Sequence, residues 1–232
     1  MTNTQINIQK FANQEASDTE LTRQVLGELS SEISQHGRAS ISFSGGRTPA
    51  SFLRKLALAK FDWSKVIVTL VDERWVPIEH PDSNEKLVQE NFLSRIPAPK
   101  PSFIPLYTNT EDPSLAEEVL EKRLQEIADQ PITVIILGVG LDGHTASFFQ
   151  SCSTYIECMS LGYEKDCCFV QNVPGYFEHN RMTLTLARIS NSKHVYLQAR
   201  GFEKLNVLES NDSDLTIHQV ARSKTISTFW SP

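Results

Sequence analysis

Two stretches of the chain, "VIVTLVD" (66–72) and "ITVIILG" (132–138), are apolar at nearly every position and rich in β-branched side chains. A strand with one wet face alternates polar and apolar residues. One without alternation is buried on both faces, which occurs chiefly in parallel sheets covered by helices. The segments between such runs carry helix signals. "SDTELTRQVLGELSSEISQHG" opens on a capping-box pair, Ser17 and Glu20, repeats Leu21, Val25, Leu29 and Ile33 on one face, and stops at Gly37. Thr48 before Pro49 reads as an N-cap with proline in the first turn, starting a helix at "PASFLRKLALAK". "SNEKLVQENFLSRI" is a further helix, and Asp112 with Pro113 caps another through about Ala128. "ASISFSGG" is a strand entering a tight turn; "CCFVQNV", "RMTLTL", "HVYLQA" and "TISTFW" read as later strands, with a helix at "FEKLNVLES". This alternation predicts an α/β fold with a largely parallel sheet covered by helices on both faces. With no internal repeat, low-complexity tract or linker, residues 1–232 read as a single domain.

With 40% hydrophobic and 22% charged residues, the chain has the make-up of an ordinary soluble globular protein. Its formal charge of −6 and lack of a Lys/Arg block argue against a nucleic-acid surface, though a few cations could still build a pocket for a small anion. The N-terminal "MTNTQINIQKFANQEAS" is too polar for a signal peptide, and no apolar run approaches a membrane span, so a cytoplasmic protein without membrane contact is expected. Cys152, Cys158, Cys167 and Cys168 match no standard zinc spacing and read as reduced, partly buried thiols.

Three strand ends carry polar chemistry where open parallel sheets bind ligands. In "SGGRTP" (44–49), Gly45 and Gly46 admit close approach of a ligand, and Thr48 begins a helix whose free N–H groups point back at the loop. That is a recipe for a phosphate site, and equally for a plain turn. "VDERWVP" (71–77) sets Asp72, Glu73 and Arg74 directly after a buried strand, as pocket lining or as a solvated turn. "GVGLDGHTASFF" (138–149) contains Gly138-x-Gly140-x-x-Gly143, the letters of a dinucleotide-binding turn. Asp142 would bring negative charge close to a pyrophosphate, and a core role suits His144 poorly among Asp, Gly and Thr. The loop therefore reads as a place of chemistry.

The set "SGGRTP", "VDERWVP…DSNE", "GVGLDGHTASFF" and "RMTLTL…GFEK" resembles the 6-phosphogluconolactonases, in their usual order, from about Ser44 to Lys204. The resemblance implies a Rossmann-like enzyme of the pentose phosphate pathway that hydrolyses 6-phosphoglucono-δ-lactone to 6-phosphogluconate without metal or organic cofactor. Its partner is then a small sugar-phosphate lactone. The sequence does not give the oligomeric state, and a monomer is the default. Position by position, the resemblance makes His144 the general base, since imidazole titrates near neutrality. It places Asp72 and Arg74 beside the reacting ring, and Asp142 as a shaper of the loop or a contact to sugar hydroxyls. Gly45, Gly46 and Thr48, with Arg181 and Lys204, would take the phosphate. Arg47 stands where many relatives have a smaller residue, as an added phosphate ligand or a solvent-facing side chain.

Where the family commonly reads GHTASLFPG, this chain has Phe148, Phe149, Gln150 and Ser151, which implies a differently shaped loop after the motif, and it matches loosely after Glu209. Glucosamine-6-phosphate deaminases share related loops, but carry a glutamate after the histidine where this chain reads "TASFFQS". A non-catalytic sugar-phosphate sensor is the remaining alternative, without the basic recognition helix such regulators attach.

Overall fold

In the computed structural model, residues 6–110, 112, 115–128 and 130–232 are described. The continuous apolar runs do form buried parallel strands. Among the described residues the large sheet comprises β1 (Ile6–Lys10), β2 (Ala39–Phe43), β3 (Val66–Leu70), β5 (Ser102–Ile104), β6 (Val134–Leu137), β9 (His194–Arg200) and β10 (Ile226–Ser231). Their order is β1-β10-β9-β6-β2-β3-β5, and each neighbouring pair is parallel. β2 and β6 lie side by side at its centre, yet the chain leaves β2 toward β3 on one side and leaves β6 toward β9 on the other. That reversal opens a crevice beyond their carboxyl ends, where the loops after β2 and β6 meet.

Among the described residues the α-helices are α1 (Gln14–His36), α2 (Ala50–Ala57), α3 (Asn84–Asn91), α4 (Ala116–Ala128), α5 (Tyr155–Cys158), α6 (Leu186–Ser190), α7 (Phe202–Leu208) and α8 (Thr216–Ser223). Leu21, Val25 and Leu29 of α1 are fully buried, as their spacing predicts, and Gly37 closes the helix with its N–H on Ile33 O at φ 77°. The start differs from the capping-box expectation. Asn13 is the cap, its side chain accepting from Ala16 N–H, while Ser17 is buried inside the helix and Glu20 pairs with Arg23. Asn13 is an equally good cap type and lies one turn earlier, so the polar first turn is helical too. Thr48 likewise does not cap α2, which begins at Ala50 after Pro49 with no side-chain cap bond. Ser83 does cap α3, accepting from Lys86 N–H at 3.1 Å. Of the pair expected to cap α4, Pro113 lies outside the described residues.

The strands expected at "CCFVQNV" and "RMTLTL" form outside the large sheet. β7 (Cys167–Val170) and β8 (Arg181–Leu184) pair antiparallel with each other, and β8 pairs antiparallel with β4 (Asp72–Arg74), into which the chain turns after β3. Register in this small sheet sets Asp72 opposite Thr183 and Arg74 opposite Arg181. The two sheets and their helices share one contiguous apolar core, in which all four cysteines are buried free thiols. Among the described residues no helix is long and apolar enough to cross a membrane.

Candidate active site

The three strand-end loops line one open cleft of about 160 Å³ beyond β2 and β6. The first follows β2, where Ser44 N–H still bonds Ile136 O, then turns through Gly46 at φ 94°. Gly45 has a steric reason to be glycine: a Cβ there would lie 1.7 Å from Asn84 Oδ1. Gly45, Gly46, Arg47 and Thr48 all line the cleft.

Asn84 is the first residue of α3 and is fixed by β4. Its Nδ2 donates to Asp72 O at 2.8 Å, and its backbone N–H donates to Glu73 Oε1 at 2.8 Å. Glu73 is fully buried and gathers further donors: Arg74 N–H and Glu85 N–H at 2.7 Å, and Ser83 Oγ at 3.2 Å. Its carboxylate thus occupies the N-terminus of α3, where free N–H groups favour an anion. Burial pushes the Glu73 carboxyl up to about 7, while the three backbone donors pull it down. The flanking side chains, Asp72 and Arg74, are turned into the cleft. Asp72 Oδ2 accepts from Ser147 Oγ at 2.7 Å and lies 3.7 Å from Arg181 Nη1.

The loop after β6 does not open a helix, as a dinucleotide-binding turn would; the next helix is the four-residue α5. It folds back on itself instead. Gly140 N–H bonds His144 O at 2.8 Å, Thr145 Oγ1 bonds Gly138 O at 2.7 Å, and Gly143 adopts φ 80°. Ala146 takes φ 52°, a left-handed conformation costly for a residue with a Cβ and found most often where a loop is held for function. Gly140 lies under the His144 ring, since a Cβ there would be 2.3 Å from Nδ1 and 2.4 Å from Asp142 Oδ1.

The His144 ring is anchored on both sides. Nδ1 is 2.5 Å from Asp142 Oδ1, and the ring lies 4.5 Å from the Phe149 ring, which stacks on Phe177. The hydrogen bond from His144 holds the Asp142 carboxyl below the usual carboxylate range. An ionised carboxylate only accepts, so Nδ1 carries the ring proton and Nε2 keeps its lone pair. Arg181 completes the wall, its guanidinium 5.3 Å from Phe149 and 5.2 Å from Phe177. Burial lowers the Arg181 pKa, with Asp72 opposing that shift. Lys204, on α7, is lowered by burial and then by the charge of Arg47.

Of the ten residues singled out in the sequence, nine line the cleft: Gly45, Gly46, Arg47, Thr48, Asp72, Arg74, His144, Arg181 and Lys204. The tenth, Asp142, stands behind His144 as its hydrogen-bond partner. Arg47 is exposed yet belongs to the cleft wall. Two lining residues had no individual sequence signal, Asn84 and Gln198. Gln198 sits in the middle of β9 with its Nε2 on Asp18 Oδ1 at 2.6 Å, a polar residue where an apolar strand pattern would expect none. That break in the pattern was its only trace.

A parallel α/β sheet whose central crevice holds a histidine–carboxylate pair and a group of cations defines a class: proteins that act on small anionic ligands at the strand carboxyl ends. The chain belongs to the glucosamine-6-phosphate isomerase/6-phosphogluconolactonase family, whose model matches residues 12–229. It is 33% identical to a 6-phosphogluconolactonase of Rhizobium meliloti over 97% of this chain and 99% of that protein. A 6-phosphogluconolactonase of Pseudomonas aeruginosa is 38% identical over 82% of this chain and 78% of its own. The crystal structure of a 6-phosphogluconolactonase from Shewanella baltica superposes with a TM-score of 0.91 at 29% identity, covering all of both chains.

Proposed function

We propose that this chain hydrolyses 6-phosphoglucono-δ-lactone to 6-phosphogluconate, the lactonase step of the pentose phosphate pathway, with His144 as general base. The observation that carries the reading is the pairing of His144 with Asp142 in the same cleft as Arg47, Arg74, Arg181 and Lys204. An imidazole with a free Nε2 suits activation of water, and the cations suit a substrate with a phosphate at one end. His144 Nε2 takes a proton from water as its oxygen attacks the lactone carbonyl carbon. The tetrahedral oxyanion collapses, the ring C–O bond breaks, and the imidazolium returns the proton to the departing ring oxygen. Asp142 holds the imidazole in the right tautomer and steadies its charge. Asp72 and Arg74 orient the sugar ring, while Gly45, Gly46, Arg47, Thr48, Arg181 and Lys204 hold the phosphate. No step requires a metal or organic cofactor. The whole chain acts as one domain in this reading, and its four free thiols suit a reducing, cytoplasmic compartment.

The test is to follow hydrolysis of freshly prepared lactone through a coupled dehydrogenase, with spontaneous hydrolysis as baseline. Wild type should accelerate the reaction, and His144→Ala should lose about 10²–10⁴-fold of that acceleration. Acceleration that survives in the variant removes His144 from the role. No acceleration by the folded wild type overturns the lactonase reading and makes ammonia release from glucosamine 6-phosphate the next assay.

A further inference from the structure

At the rim of the cleft, outside the residues that line it, His80, Asp82 and His179 come together from two loops. His80 and Asp82 lie between β4 and α3, and His179 lies between β7 and β8. One ligand atom from each falls within 4.8 Å of the others. Asp82 Oδ2 is 3.1 Å from His179 Nε2 and 3.9 Å from His80 Nδ1. Donors around a tetrahedral zinc ion, bonded at about 2.0–2.1 Å, stand about 3.3 Å apart. The carboxylate and His179 therefore already have a suitable separation, held by a hydrogen bond from His179 Nε2–H whose proton the metal must displace to Nδ1 or to solvent, and His80 needs an inward shift. We propose that His80, Asp82 and His179 form a binding site for a divalent transition-metal ion of the zinc type. The site is separate from the catalytic cleft and independent of the lactonase reading.

Several features preorganise these ligands. Asp82 N–H donates to His80 Nδ1 at 3.1 Å, so the ring proton sits on Nε2 and Nδ1 already presents its lone pair toward Asp82. A metal ion would replace that amide proton, leaving the N–H of an exposed residue to water. His80 and Asp82 are further set by turns, His80 N–H to Pro77 O at 2.9 Å and Ser83 N–H to His80 O at 3.1 Å. Both neighbours of His179 are pinned: Glu178 O accepts from Asn172 Nδ2 at 3.1 Å, and Asn180 O accepts from Trp75 N–H at 2.7 Å. Two imidazole nitrogens with one carboxylate oxygen match zinc, cobalt, nickel and copper rather than magnesium or calcium. Asp82 is half exposed, which leaves the remaining coordination positions to water. Two influences oppose binding: the hydrogen bond from His179 to Asp82, which the ion must replace, and Arg74, whose Nη1 donates to Asp82 O at 2.6 Å and whose charge repels a cation. Three ligands and that repulsion set an affinity below that of a closed four-ligand structural zinc site. Once bound, the ion would tie the loop that anchors Arg74 to the loop that leads into Arg181.

The test uses the full chain stripped of metal. Cobalt(II) titration should develop visible absorption saturating at one ion per chain, and zinc should displace it and raise the melting temperature. His179→Gln and Asp82→Asn should each weaken binding at least about tenfold and abolish the zinc-induced rise. Their metal-free melting temperatures report that they still fold. His144→Ala should bind as wild type does. The proposal fails if wild type shows neither absorption nor a melting shift at about 1 mM metal, a dissociation constant too weak to matter. It fails equally if His179→Gln binds unchanged, or if binding disappears in His144→Ala, which would place the ion on the Asp142–His144 pair.

Discussion

Asp142 and Gly140 determine how His144 is presented, and each supports a separate test. Asp142→Asn keeps an acceptor but loses the charge that fixes the Nδ1 proton. We expect kcat to fall by about tenfold or more, yet by less than the roughly 10²–10⁴ expected for His144→Ala, while KM changes little. The same pair bears on stability. Its hydrogen bond lowers the Asp142 pKa from an ordinary 3.8, so the stabilisation is complete above that pH and disappears as pH falls through the lower folded value. Denaturation of wild type and variant should therefore differ near neutrality and converge in strong acid. Gly140→Ala acts by volume alone. Its Cβ would be 2.3 Å from the His144 ring, so the dyad must move, and a misplacement of about 1 Å costs on the order of 10²-fold in rate. Steady-state kinetics on a variant that retains wild-type circular dichroism would show this, and unchanged kcat would mean that the ring position is not critical.

At the level of elements, β4 and α3 behave as one unit because Glu73 joins them. Both oxygens of Glu73 accept, and every neighbour within hydrogen-bonding reach is a donor. Glu73→Gln sets an amide NH₂ against those donors, and should cost about 1–3 kcal/mol in chemical denaturation and raise KM as Asn84 and Arg74 loosen. A fully stable variant would show that the strand–helix junction is held by packing instead. This junction also marks the limit of what the sequence discloses. The buried strands β3 and β6 were legible because continuous β-branched runs have few other solutions, and the glycine-rich loops because their residue types are unusual after such strands. The edge strands β1 and β5 were not, since five and three half-polar residues carry no period. The helices α5 and α6, of four and five residues, fell below the length at which a helical period can be read, and α8, as long as α2 and α3, follows Leu215 with no side-chain cap to announce it. "CCFVQNV" and "RMTLTL" read as strands, but nothing local says that they leave the parallel sheet. The Arg74–Arg181 pairing follows from that departure and is fixed by long-range register. Eight of the ten candidate site residues lie in the three strand-end segments, and Arg181 and Lys204, on β8 and α7, were named only through the family resemblance. Asn84 and Gln198 depend on contacts to Gly45 and Asp18 that only the fold brings about.

Over the whole molecule the charge is −6, yet the cleft concentrates Arg47, Arg74, Arg181 and Lys204. Two of these stand directly opposite each other on paired strands, an arrangement that by itself destabilises a sheet. Asp72 offsets part of it at 3.7 Å from Arg181, and the Asp142 carboxylate is engaged with His144. The remaining positive field is what a doubly charged phosphate would neutralise, and long-range attraction of this kind is screened by salt. The screening length falls from about 10 Å at 0.1 M to about 3 Å at 1 M ionic strength. KM for the phosphorylated lactone should therefore rise several-fold over that range. In the proposed mechanism the attack of water rests on the His144–Asp142 pair, held at 2.5 Å and little screened, so kcat should stay nearly constant. Lys204→Met should raise KM at low salt and flatten its salt dependence, since one of the screened charges is gone. Glucono-δ-lactone without the phosphate serves as control, and its slow hydrolysis should show no such slope. A KM for the phosphorylated substrate that ignores salt, with the same flat response in Lys204→Met, would mean that these cations serve the fold and that the phosphate is recognised by the backbone of the Gly45–Thr48 loop alone.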